Sequence, residues 1–306
     1  MNCWKVLCYG LLLTQAVVAL AETKFTVATY NLENYHLRPF GNRREKSPEA
    51  RAKVVANLAA IKPDVLAVQE IGEPAALQEL QASLKTAGVD LPYFEHVAGW
   101  DTNIFIGVLS RFPFTARHPH TNDSFLLNGR RFHSSRAVAE LEIAVTPGYH
   151  FTLLTTHLKS KRQIADADET ELREQEALQL RTHIDELLAQ DPRINLLVCG
   201  DFNDTKDSKS TRAVISRGAN ALVDTRPFER NGDTVPPENP RYDPARIAWT
   251  HFYGKEDTYS RIDYILLSKG MAPEWVKADS YVFATANWGL ASDHRPVVCG
   301  FVAEDK

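Results

Sequence analysis

The sequence predicts an α/β fold in which two sheets pack face to face with helices outside. Three observations carry this. Apolar runs of strand length alternate with helical patterns from Phe25 to Val302. The strands are numerous and broken by only a few helices, which asks for more than one sheet layer. Runs such as Val65 to Val68 and Leu196 to Cys199 are continuously apolar, as expected of strands covered on both faces.

The elements follow in order. Phe25 to Tyr30 alternates and reads as a strand. Ser47-Pro48-Glu49 opens a helix, with Ser as cap and Pro in the first turn. Val54, Val55, Leu58 and Ile61 form its apolar stripe, and Pro63 ends it. A buried strand follows at Val65 to Val68, then a second helix from Pro74 to Ala87 closed by Gly88. Ile104 to Ser110, Ala137 to Ile143, Phe151 to Thr156, Ile194 to Cys199, Ile262 to Leu267 and Pro296 to Val302 read as further strands. Glu169 to Leu188 is the longest helix, with Leu172, Leu180, Ile184, Leu187 and Leu188 on its inner face. Residues 226–247, rich in Pro, Asn and Asp, read as a surface loop inside one domain, because strands of one sheet system lie on both sides.

Composition narrows the function. With 306 residues, 44% hydrophobic and 24% charged, the chain is globular, not disordered or low-complexity. A formal net charge of −4 excludes clinging to nucleic acid by bulk charge, though not a local basic patch. Lys5, the apolar stretch Val6 to Leu20 and Ala19-Leu20-Ala21 form a signal peptide over residues 1–21, leaving a single domain at 22–306. An uncleaved anchor is the alternative. The expected location is therefore secreted or periplasmic. Cleavage leaves Cys199 and Cys299, which either form a disulfide or stay as two separate buried thiols.

Polar residues gather where apolar strands end, and rigid strand ends aim their side chains. Asn31 and Glu33 follow the first strand, two residues apart, so their side chains can point the same way. Glu70 follows Val65 to Gln69, a good place for a hard-cation ligand. His157 follows Leu153 to Thr156. Asp201 and Asn203, in Gly200-Asp201-Phe202-Asn203, again share a face, and Gly200 permits close backbone approach. Asp263 and the pair Asp293-His294 complete the set. Any one of these has a plain reading as a turn or cap residue. Of the ten histidines only His157 and His294 occupy such positions, and the others read as structural. Oxygen donors without a thiolate or a cluster of histidines point to Mg²⁺ or a similar ion and not to zinc. Such an ion, two histidines and spare carboxylates suit phosphoryl chemistry.

Six segments, Tyr30-Asn31-Leu32-Glu33-Asn34, Pro63-Asp64-Val65 to Gln69-Glu70, Thr156-His157-Leu158, Gly200-Asp201-Phe202-Asn203, Arg261-Ile262-Asp263-Tyr264 and Ser292-Asp293-His294-Arg295-Pro296, resemble the endonuclease/exonuclease/phosphatase superfamily. They occur in the family's order and span nearly the whole chain after residue 21. The resemblance implies a four-layer α/β/β/α sandwich of two mixed sheets with flanking helices. It implies Mg²⁺ or Mn²⁺ held chiefly by Glu70, with Asn31, Glu33 and Asp293 nearby. Asp201 would orient or deprotonate the attacking water, and Asn203 would hold a phosphate oxygen. His294, paired with Asp263, would contact the scissile phosphate or act as base. His157 would stand on the leaving-group side as acid or phosphate ligand, although the sequence shows no acid to buttress it. Arg136 matches a phosphate-binding position, with Arg130 and Arg131 as competitors.

The expected activity is a metal-dependent nuclease acting as a monomer on nucleic acid. Lys159, Lys161 and Arg162 offer a local basic cluster for a phosphate backbone, or else a solvated approach to the following helix. The alternative is a phosphatase or phospholipase C-type phosphodiesterase for lipid head groups or small phosphoesters, without stable membrane insertion. Trp288 is then the candidate membrane-contacting aromatic, unless it only packs. A catalytically dead binding module would have lost ligands, and this chain retains them all.

Overall fold

The computed structural model describes residues 22–233, 235–239, 243 and 245–305; the expected signal peptide lies outside them. Among the described residues, no helix is long and apolar enough to cross a membrane. The first half of the chain runs β1 (Lys24–Tyr35), α1 (Pro48–Ile61), β2 (Val65–Ile71), α2 (Pro74–Thr86), β3 (Tyr93–Val97), β4 (Phe105–Ser110), β5 (Phe114–Arg117), β6 (Ser124–Leu127), β7 (Arg130–His133), β8 (Ala139–Thr146) and β9 (Tyr149–His157). The second half runs α3 (Glu169–Gln190), β10 (Leu196–Asp201), α4 (Lys209–Ile215), β11 (Val223–Asp224), β12 (His251–Tyr253), β13 (Thr258–Ser260), β14 (Asp263–Leu267), β15 (Trp275–Val282) and β16 (Val297–Val302).

Two six-stranded sheets result, ordered β15-β16-β1-β2-β4-β3 and β11-β14-β10-β9-β8-β5. Each is mixed. The β1–β2 and β9–β10 pairs are parallel and their neighbours antiparallel. Strand alternation then builds the four layers, because successive side chains point to opposite faces. Phe25 and Val27, Phe151 and Leu153, Leu197 and Cys199, and Ile265 and Leu267 fill the space between the sheets. The alternate residues Ala28 and Tyr30 pack outward against Val54 and Leu58 of α1 and Leu77 and Leu80 of α2. On the other sheet Val198 and Leu266 meet Leu180 and Ile184 of α3.

The predicted helix starts hold, while α2 stops one residue before Ala87 and α3 runs two beyond Leu188. Ser47 caps α1 by accepting from the Ala50 N–H, and Asp168 caps α3 by accepting from Thr170 and Glu171. Lys62 closes α1 in a left-handed conformation ahead of Pro63. The sequence reading missed the short strands β3, β5, β6, β7, β11, β12 and β13, the edge strand β15 and the short helix α4. Several of these lie at sheet edges or in two-stranded ribbons; β15, for example, is half-exposed and mixes polar with apolar residues, so neither period shows. Cys199 and Cys299 are free buried thiols, so the disulfide does not form. Burial pushes both up to about 12, and they act as small apolar core residues.

The inter-sheet layer changes character along its length. It starts aromatic, with Phe25 stacked on Phe151 and Phe301. Further along, Thr29, Gln69 and Thr155 form a buried hydrogen-bonded girdle across the two sheets. Beyond it, Asn31 of β1 and Asp201 of β10 meet at 2.9 Å. The polar site is therefore the open end of the same inward-facing rows that make the core.

Candidate active site

Strand register brings the first group together. Asp201 pairs with His157 on one side and with Asp263 on the other. Each stands at an end of its inward-facing row, His157 and Asp201 at the finish and Asp263 at the start. A backbone bridge between His251 and His294 brings the final loop over them. Gly200 fits here because it has φ +133° and any Cβ would lie 2.0 Å from the Thr156 carbonyl oxygen.

His294 Nδ1 lies 2.8 Å from Asp263 Oδ2, and its Nε2 lies 3.7 Å from Asp201 Oδ2. Burial alone would lower the His294 pKa. Asp263 and Asp201 outweigh it and raise His294 well above the usual imidazole range. Burial, then the neighbouring charge of Asp263, push Asp201 up to about 7. Asp201 accepts from the Asn31 amide and, at 2.8 Å, from the Asn203 backbone N–H. Asp263 is anchored from behind, its N–H donating to Thr250 Oγ1.

His157 is buried, with Nε2 3.4 Å from Asp201 Oδ2 and Nδ1 without a partner among the described residues. Its acid neighbour is thus its own strand partner, which the sequence had not revealed. Burial, then Arg136 and His294, hold His157 well below the usual range, so the ring is neutral.

The second group lies beside the first. Glu33, Glu70 and Asp293 gather around the buried ammonium of Lys46, which donates to the Glu33 carbonyl and lies 3.9 Å from its carboxylate. Burial, then the Asp293 charge, raise Glu33. Burial would also raise Asp293, but His251, 3.6 Å away, and His294 lower it. Asn31 joins the groups. Its amide donates to Asp201, its side-chain oxygen accepts from the Glu33 N–H, and its carbonyl accepts from Ser292 Oγ. Ser292 Oγ also accepts from the His294 N–H.

Two pairs do not share a face as the alternation predicted. Glu33 and Asn203 adopt φ +48° and +54°, which ends the extended backbone between each and its partner. Glu33 turns outward from buried Asn31, and the Asn203 amide donates to the Leu158 carbonyl. Glu70 is left-handed too, at φ +57°, and sits where the β2–β4 register shifts. Such backbone at three site residues is typical of functional positions.

The expected substrate contacts separate. Arg136 is buried, lies 3.6 Å from Asp101, and its Nε has no partner among the described residues. Lys159 is also buried, but its ammonium donates to the Ser160 and Arg162 carbonyls. It is not a free cation for a phosphate backbone, because the chain curls over it. Trp288 packs edge-on against Trp249 and Phe252.

The sequence reading missed Lys46, His251, Thr250 and Glu176. Glu176 of α3 accepts from the Ser135 and Lys159 N–H groups at 2.8 and 2.6 Å, tying the Arg136 and His157 loops to one helix. Of these only Glu176 carried a signal, at the i, i+4 spacing of Leu172, Leu180 and Ile184 on the inner face of α3. The ligand atoms of His251, Asp293 and His294 lie within 4.8 Å of one another, as do those of Asp201, Asp263 and His294. The first trio adjoins the carboxylate group. The second is the hydrogen-bonded His294–Asp263 pair together with Asp201. Three carboxylates facing one ammonium leave an excess of hard oxygen donors, which fits a cation such as Mg²⁺ or Mn²⁺.

A model of the Endonuclease/Exonuclease/phosphatase family matches residues 28–294. No protein of curated function matches the sequence. Solved structures are similar at low identity. The human Nocturnin catalytic domain with bound sulfate is 16% identical, covers 92% of this chain and 95% of its own, and has a TM-score of 0.62. Truncated Caenorhabditis elegans TDP2 is 15% identical over 92% and 98%, with a TM-score of 0.57. Sphingomyelinase C from Streptomyces griseocarneus is 19% identical over 91% and 99%, with a TM-score of 0.60. These likenesses show the shared fold, and the family match over most of the chain shows that it belongs to the endonuclease/exonuclease/phosphatase family.

Proposed function

We propose that this chain is an exported, divalent-metal-dependent phosphodiesterase that hydrolyses nucleic acid. The observation that carries the reading is the convergence of His157, Asp201, Asp263 and His294 beside an under-neutralised carboxylate group.

Each residue then has a role its geometry supports. Asp201, near 7, takes the proton of the attacking water at a working pH close to neutral. Asp263 fixes the His294 ring through Nδ1, so the imidazolium Nε2–H faces the reacting phosphate and neutralises its charge. His157, being neutral, serves as a hydrogen-bond donor to a phosphate oxygen, the second of its two expected roles. Asn203 directs its amide to the Leu158 carbonyl and orients Asp201 through its backbone N–H. Glu70, Glu33 and Asp293 would hold Mg²⁺ or Mn²⁺, with Asn31 behind them. When bound, that ion supplies charge neutralisation at the phosphate.

Nucleic acid is favoured over a lipid head group because Trp288, the aromatic the lipid reading needs, is engaged in packing. The sphingomyelinase likeness speaks for the fold alone. The test is a panel of single- and double-stranded DNA, RNA, sphingomyelin, a phosphoinositide and bis-p-nitrophenyl phosphate, each with Mg²⁺ and with chelator. Metal-dependent cleavage of a nucleic acid supports the reading. Cleavage of lipid alone, or of nothing, overturns it.

A further inference from the structure

Beside the site lies an aromatic surface that the chemistry above does not use. Trp100 is 62% exposed, yet its indole is stacked on the His133 ring with centroids 3.9 Å apart and planes 6° from parallel. One face of the indole is held and the other is open. His133 belongs to the β6–β7 ribbon, where it pairs with Ser124, and Leu126 pairs with Arg131. Directly opposed residues share a face, as do residues two apart. The His133 face therefore also carries Arg131, whose guanidinium is anchored 3.0 Å from Ser124 Oγ.

The shelf is fixed to the catalytic end of the molecule. The residue after Trp100, Asp101, donates its N–H to the Ser135 carbonyl at 2.7 Å and faces the Arg136 guanidinium. On the other side, a Cβ on Gly99 would lie 2.5 Å from the Ala137 nitrogen, so the loop is pressed against the Arg136-Ala137 backbone. Arg136 is in turn the strongest cationic influence on His157. Glu176 holds Ser135 from below.

We propose that Trp100, backed by His133 and flanked by Arg131, is a stacking platform for the bases of single-stranded nucleic acid leading into the site. The inference rests on the nuclease reading and narrows it to unpaired strands. A flat, rigidly backed ring selects a flat partner, and every base offers one only when it is unpaired and exposed. A guanidinium on the same face adds either a phosphate contact or a second stacking surface. A membrane-inserting tip would need a contiguous apolar patch, whereas on this face the exposed Leu126 stands opposite Arg131 and beside the Ser124–His133 pair, so Trp100 and Leu126 are its only large apolar groups among the described residues.

The test compares the intact protein with Trp100→Ala and Trp100→Phe. Binding of a labelled oligothymidylate of about 12 nucleotides, within the ~4–16 nucleotides such surfaces engage, is read by anisotropy in chelator. Cleavage of the same strand and of bis-p-nitrophenyl phosphate is read with Mg²⁺. Trp100→Ala should weaken oligonucleotide binding roughly 5- to 100-fold, the range of one lost base stack. It should leave the small ester within about twofold, since that substrate has no base to place. Trp100→Phe should restore most of the binding. If the parent protein cleaves no nucleic acid, the nuclease reading itself falls. If it cleaves single strands and Trp100→Ala binds them unchanged, the platform is overturned while the nuclease reading stands. Equal loss on both substrates makes Trp100 a support of the loop. A loss confined to binding of phosphatidylcholine vesicles makes the surface a lipid contact. Either result overturns the platform.

Discussion

Asp263→Asn separates charge from shape in the histidine pair. Asparagine has nearly the same volume, keeps the N–H that donates to Thr250, and still offers an oxygen to His294 Nδ1. Only the negative charge 2.8 Å from the ring is lost. An opposite charge at that distance in a buried site shifts a pKa by about 1–3 units, or roughly 1.4–4 kcal/mol. His294 should therefore fall toward the usual imidazole range. Asp201 should fall as well, because the Asp263 charge is one of the causes that raise it. If Asp201 works as base and His294 as cation, both limbs of the pH profile of kcat/KM move to lower pH, each by about one unit or more. The rate at the optimum should drop about 10²–10⁴-fold, since a weaker base and a less firmly oriented ring act together. Stability gives an independent check with a defined sign. A histidine whose folded pKa is raised contributes stability that is fully present below its unfolded value near 6.5 and is lost as pH rises through the folded value. The variant should thus be less stable than the parent at about pH 6, with the gap closing at alkaline pH. The assay is hydrolysis of bis-p-nitrophenyl phosphate from about pH 5 to pH 10, with urea unfolding over the same range. A profile that loses height without moving either limb would refute the assigned roles.

Three further outcomes follow from the same contacts. Glu70→Ala should abolish Mg²⁺-dependent hydrolysis, a loss of at least about 10³-fold, and remove the Mg²⁺-induced rise in Tm, both read on the purified protein. Glu176→Ala leaves the Ser135 and Lys159 N–H groups without their acceptor. It should cost about 2–6 kcal/mol in urea unfolding, at about 1–3 kcal/mol for each orphaned buried donor. Lys46→Met removes the ammonium among Glu33, Glu70 and Asp293. It should lower Tm in chelator and tighten Mg²⁺ binding by about tenfold, measured by calorimetry, because the ion then meets the carboxylates without a resident competitor.

The apolar strand runs were legible because burial on both faces leaves no other way to read Val65 to Val68 or Leu196 to Cys199. Their polar terminal residues were legible for the same reason. What escaped was polar and buried. Glu176 stands on the i, i+4 line of Leu172 and Leu180, unlike Glu174, which pairs loosely with Lys209 at 3.8 Å, but one acid on an apolar stripe does not name its partners. Its burial comes from the Ser135 and Lys159 loops, which are distant in sequence. Lys46 looks like one more exposed cation in Arg43-Arg44-Glu45-Lys46, until the chain folds it back under Glu33. Lys159 erred in the opposite direction, read as free although its own loop carbonyls enclose it.

One regularity was present in the sequence and explains why the site is where it is. Phe25, Val27, Thr29 and Asn31 stand two apart, as do Phe151, Leu153, Thr155 and His157, and Leu197, Cys199 and Asp201. Each row runs from apolar to polar in the same direction. Parallel pairing of β9 with β10 brings His157 level with Asp201, while the antiparallel pairing of β14 brings the start of its row, Asp263, to the same level. The catalytic geometry is thereby fixed by the same register that seats Leu153, Cys199 and Ile265 in the core. A slip of one residue would turn Asp201 to the helix side and Val198 to the inter-sheet side at once. The hydrophobic rows therefore enforce the position of the buried acids, even though burying Asp201 and Asp263 costs stability when no ion or substrate is near. That cost is what holds Asp201 near 7 and ready to take a proton.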